Sequence, residues 1–148
     1  MFKDIKPYKI TNFNNHATIV TELKTDDFSK TSTGEDASSL EGDVMISFPN
    51  WQYTIFNKNN QTHIYMFENL ITFLLLQDQG EIPDDAVCLS PVDDKTEFYV
   101  GAYLGSINTT SNTLESQPNK APKVNYSLNN FLTAATNKGS DWSIMNFK

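Results

Sequence analysis

The chain contains no arginine: all 11 of its basic side chains are lysines. Lysine is a point charge on a flexible stem, so the rigid fork that grips carboxylate and phosphate is missing, and arginine-finger or phosphate-clamp chemistry is excluded. Positive charge is also outweighed, with 18 acidic side chains leaving a formal net charge of −7. Such a field repels phosphate backbones and anionic membranes, so no nucleic-acid partner is expected. Cysteine is scarcer still. Cys88 stands alone, which removes any intrachain disulfide and any zinc site built from cysteines, and it reads as a small core residue. Long apolar runs are absent too. Met1 to Ile10 lacks the continuous apolar stretch of a secretory signal, and Leu70 to Leu76, interrupted at Thr72, falls far short of the roughly 20 residues that span a bilayer. Neither a signal peptide nor membrane insertion is expected.

Signatures of catalysis are equally thin. The two histidines, His16 and His63, belong to no HExxH or other ligand-spaced cluster and read as turn or strand-surface residues. There is no G-x-S-x-G elbow, no P-loop and no G-x-G-x-x-G. Carboxylates pair at Asp26/Asp27, Asp84/Asp85 and Asp93/Asp94, and two such groups could hydrolyse a glycosidic bond. All three pairs fall in predicted turns, where aspartate is common for its own backbone hydrogen bonds. The D-x-D-x-D-G calcium loop is missing. The reading is no catalytic residue, no metal or cofactor site and no cofactor, and ligand-binding residues are left unassigned. Trp51, Tyr53, Tyr65, Tyr99, Tyr103 and Trp142 could form a sugar- or protein-binding face, but packing the sheet is the better account of aromatics alternating with polar neighbours.

What the chain does have is β-type patterning. Ala17 to Leu23 is rich in β-branched residues and predicts a strand ending in a turn at Lys24 to Asp27. Ser29 to Gly42 reads as a solvated loop. Asp43 to Phe48 predicts a strand with Val44, Ile46 and Phe48 on one face, and Trp51 to Met66 predicts a hairpin reversing at Asn57 to Asn60, the two kinked apart at Pro49. Phe67 to Gln79 fits either helix or buried strand, and strand or a short mixed segment is preferred. A turn follows at Gly80 to Asp85. Thr96 to Leu104 reads as a strand in which Gly101 marks a bulge or a close backbone approach. Gly105 to Tyr126 reads as a long polar loop. Ser127 caps a predicted helix, about Leu128 to Lys138, with Leu128, Phe131, Leu132 and Ala135 on one stripe and Gly139 as the stop. The expectation is one domain over residues 1–148, of α+β class with β dominant.

Three segments resemble, in order, those of bacteriophage tail-fibre and related minor structural proteins. Gly42 to Phe56 (GDVMISFPNWQYTIF) is similar to their G-D-V-M-V/I-x-F/I-P-K segment. Phe98 to Ser106 (FYVGAYLGS) is similar to their Y-I-G-A-Y strand, and Phe131 to Trp142 (FLTAATNKGSDW) to their helix followed by a G-x-G/D-W turn. The resemblance implies a C-type-lectin-like domain with antiparallel strands and a helix. It further implies a non-catalytic structural or host-receptor-binding protein of the virion, partnered by other virion proteins or a host surface ligand. The family's helix arginine is Leu132 here, so no contact residue is transferred. Family members continue past the G-x-x-W turn, whereas this sequence stops at Lys148, so the expectation is a shortened member with an unpaired sheet edge and hence a homo-oligomer. The alternative is a small acidic cytoplasmic protein that binds or inhibits a basic partner.

Overall fold

The computed structural model describes residues 5–90 and 97–144. The chain divides into two compact units, one of Ile5–Ser47 with Tyr99–Lys148 and the other of Phe48–Phe98 with Met1–Asp4. Strands dominate, as the sequence pattern predicts, and every strand pair with a described register is antiparallel.

The larger unit opens with β1 (Lys6–Phe13) and β2 (His16–Lys24). Asn14 and Asn15 join them, both with positive φ (51° and 66°), as a two-residue hairpin turn matched to strand twist requires. β2 turns at Thr25 and Asp26 into β3 (Asp27–Thr31), which takes the first residues of the expected loop. The rest of that loop is a chain of side-chain-closed turns. Asp27 accepts from the backbone N–H and hydroxyl of Ser29, and Asp36 does the same for Ser38.

β4 (Asp43–Pro49) and β7 (Glu97–Gly101) complete a five-stranded sheet in the order β3-β2-β1-β4-β7. Both faces of β4 are covered: Val44 and Met45 are buried alike, so its alternation marks one face without leaving the other in water. The core gathers Leu23, Ala37 and Val44 under Phe28, Leu40, Ala102 and Tyr103. Gly42 precedes β4 with φ of +116°, and a Cβ there would lie 2.8 Å from the Ile10 carbonyl oxygen; only glycine lets the chain pass β1 so closely.

Two corrections to the sequence reading fall in this unit. The long polar excursion contains a hairpin, β8 (Ser106–Asn108) with β9 (Thr113–Glu115), too short and too polar to show as periodicity. The C-terminal helix, α2 (Leu128–Thr136), is capped by Ser127, whose hydroxyl accepts from the Asn130 N–H. Its buried residues are Ala134 and Ala135, while Leu128 and Leu132 are exposed. The inward face keeps Ala135 of the expected stripe and adds Ala134, leaving Leu128 and Leu132 outside it.

The smaller unit holds β5 (Gln52–Lys58) and β6 (Gln61–Phe67), reversing at Asn59 and Asn60, again both left-handed. The preferred strand reading of the next segment is overturned. Leu70–Asp78 is α1, a second helix, started by the Asn69 side chain accepting from the Thr72 N–H and followed by Gly80 at φ +70°. Phe73 of α1 packs with Phe56, Phe67 and Ile82, and Tyr65, Leu76, Ala86 and Cys88 surround them.

Candidate recognition surfaces

Two arrangements could carry function, one in each unit. In the larger unit the most ordered chemistry is a buried polar lock. Asp43, at the start of β4, is only 2% exposed. Its carboxylate pairs with the Lys138 ammonium and accepts from the Ser116 backbone N–H at 2.9 Å. Lys138 also donates to the Leu114 carbonyl and lies over the Trp142 ring, 4.1 Å from its centroid. Burial pulls the Lys138 pKa down from 10.5 to about 8. Ser116 ties the lock to the sheet, its hydroxyl donating to the Val44 carbonyl and accepting from the Tyr103 N–H. A Cβ on Gly101 would meet that hydroxyl at 3.0 Å, which is the close approach the glycine in β7 predicts.

Beside the lock lies an open cleft of about 570 Å³, lined by Lys9, Asp26, Asp27, Phe28, Tyr103 and Gln117 among others. Phe28 and Tyr103 meet edge to face at 6.3 Å, giving it an aromatic floor under a polar rim. Its charged groups are already engaged. The Lys9 ammonium donates to the Leu40 and Gly42 carbonyls, and burial lowers its pKa. Ser29 holds the Asp27 carboxyl below the usual range through two hydrogen bonds. Such a cleft can hold a small polar ligand by its rim.

The residues singled out in the sequence are not brought together. Asp26/Asp27 and Asp84/Asp85 lie in the larger and smaller unit respectively, and Asp93/Asp94 lie outside the described residues. His16 is exposed and faces Asp141 at 3.2 Å; His63 stacks on Phe56 at 5.3 Å. Cys88 is partly buried with its thiol pushed up by burial. Among the described residues no three His, Cys, Asp or Glu side chains gather as metal ligands would. The six aromatics divide between the units instead of sharing a face. Trp51 meets Phe98, Tyr65 stacks between Phe56 and Phe67, Tyr99 meets Tyr8 and Tyr103 meets Phe28. These four pack, as the alternation predicts.

The second arrangement went unrecognised in the sequence. α1 buries only Phe73 fully, and its outer side presents Leu70 (47% exposed), Ile71 (69%), Leu74 (52%) and Leu75 (54%). These positions fall at i, i+1, i+4 and i+5, one continuous stripe. Nothing charged stands between Asn69 and Gln77. On the outer face of the hairpin, Ile55, Ile64 and Met66 are exposed as well. Single exposed apolar residues need no explanation, but a contiguous stripe marks an interaction surface. The available signal was the pairing of a start residue, Asn69, with a stop, Gly80, around a run apolar on every side. No helix among the described residues is long and apolar enough to cross a membrane. No family model, no curated protein and no solved structure matches this chain.

Proposed function

We propose that the chain is a non-catalytic binding protein of the virion, a tail-associated structural or host-receptor-binding component with a C-type-lectin-like fold. The observation that carries a binding role is the uncovered apolar stripe of α1, whose exposure costs solubility unless a partner covers it. The virion assignment rests on the three ordered segments, and their meeting in space supports it. Asp43 of the first is paired with Lys138 of the third, and Gly101 of the second lies against Ser116, which is bonded to that same Asp43. The open edge of β6, which has β5 as its single strand partner among the described residues, supplies the backbone groups through which copies associate. Mass spectrometry of purified particles tests the assignment. The expected result is this chain at fixed stoichiometry with tail proteins, and its absence from intact particles overturns it.

One observation favours a second reading, an acidic protein that captures a basic partner: the net charge of −7 speeds encounter with cationic surfaces. Salt-sensitive co-purification with a basic host protein, with none of the chain in particles, is the result that would select it.

A further inference from the structure

The formal charge is divided unevenly. Among the described residues the smaller unit carries six acidic side chains against one lysine, −5, whereas the larger carries nine against seven, −2. Most of that negative charge therefore belongs to the unit that exposes the apolar stripe. Asp78 follows Leu74 by four positions and Leu75 by three, which puts its carboxylate on the same side of α1. Glu68 precedes the helix, and Glu81, Asp84 and Asp85 follow it. The one lysine of this unit among the described residues, Lys58, is directed at the Gly80 and Glu81 carbonyls, at 2.9 and 3.4 Å.

We infer that α1 is a docking ridge for a cationic amphipathic helix of a partner protein, apolar on one face and bearing lysine or arginine along its rim. This deepens the binding role argued above and rests on it. A second copy is the wrong occupant of this stripe, because it would set Asp78 of one copy, and the acidic residues flanking its helix, against the same residues of the other. A strand is wrong as well. The side of a helix has no free backbone donors or acceptors to extend a sheet, whereas its rows of side chains at i and i+4 fit the grooves of another helix. A bilayer with anionic headgroups meets the same repulsion as a second copy.

The test titrates the purified full chain with a labelled peptide of about 18 leucines and lysines in amphipathic helical order, long enough to be helical once bound. Two control peptides accompany it: a scramble of the same composition, and the same order with glutamate for lysine. Anisotropy at low and high salt should show saturable binding of the first peptide, weakened by salt, with both controls at least about tenfold weaker. Leu74→Ser with Leu75→Ser should cost about tenfold or more, and Asp78→Lys should weaken binding and flatten its salt dependence. These positions are exposed, and circular dichroism should show both variants folded.

Equal binding of the scramble, or an unchanged affinity in the double variant, overturns the inference. So does a dimer in light scattering that the double variant dissolves, which assigns the stripe to a second copy. Sedimentation with phosphatidylcholine vesicles, lost in the double variant, would overturn it in favour of a lipid surface. If the peptide fails to bind while particles contain the chain, the cationic partner falls and the virion reading stands; the reverse pair of results spares only the partner.

Discussion

Both units have an apolar core, and they differ in what is built beside it. The larger closes around ions and hydrogen bonds between residues far apart in the chain: Asp43 with Lys138, Ser116 with Val44 and Tyr103. The smaller closes around local apolar contact, with Phe56, Tyr65, Phe67 and Phe73 stacked or edge to face at 5.5 to 6.4 Å. Its Thr54 hydroxyl is buried without a partner. A buried ion pair contributes little net stability but penalises every alternative arrangement, so the larger unit gains a single register for its sheet and helix. A small apolar unit has no such device, and at its size it cannot cover its own surface. Helices apolar all round are normally buried. α1 is covered on one side only, and that asymmetry separates the unit suited to hold a shape from the unit suited to hold a partner.

The sharpest way to break this contrast is to strike each unit at its own support, with the lone tryptophan of each as the reporter, Trp142 in the larger and Trp51 in the smaller. Asp43→Ala should destabilise the larger unit by about 4 kcal/mol, because it strands the Lys138 charge in a buried site. Adding Lys138→Met should recover part of that, since an apolar replacement of both partners is often neutral; the Ser116 N–H left behind keeps recovery incomplete. Urea melts followed through Trp142 measure both, and a single variant costing under about 1 kcal/mol would deny the lock its role. Phe73→Ala should cost about 3 kcal/mol by removing the one α1 side chain fully inside. Trp51 fluorescence should report that loss at lower urea than in the parent chain.

The same contrast explains what could be read from sequence. β2, β4 and the β5–β6 hairpin were legible because alternation and paired asparagines state face and reversal locally. α2 was legible from the Ser127 cap and the Gly139 stop. α1 was not, because leucines on every side of a helix carry no period, and only Asn69 and Gly80 framed it. β8 and β9 are three residues each, too short to alternate visibly. The lock could not be foreseen: Asp43 and Lys138 each look like surface charges, and only the fold brings them together. The apolar stripe was read as core for the same reason, since composition reports that a segment is apolar and not which side of it faces water.

A smaller effect should distinguish the lock from ordinary packing. Burial sets Lys138 at about 8 in the folded chain against 10.5 ordinarily. Between those values the unfolded chain holds a proton that the folded one has released, so unfolding free energy rises with pH across that window. The rise should be on the order of 3 kcal/mol, and Lys138→Met should lack it. A difference between the two chains that stays flat from pH 8 to 10.5 would show the ammonium to be better solvated than its surroundings imply.

The smallest expected effect is the most telling for α1. If the stripe served the fold, Ile71→Ser and Leu75→Ser would destabilise as core truncations do, by about 2 kcal/mol or more. Because both side chains stand more than half in water, each change should instead stay within about 0.5 kcal/mol of the parent and improve solubility. Thermal melts together with the concentration at which the protein precipitates measure the two quantities. Stability lost in step with these substitutions would mean that the outer side of α1 is inner surface after all, and the division between a unit that holds its shape and a unit that holds a partner would dissolve.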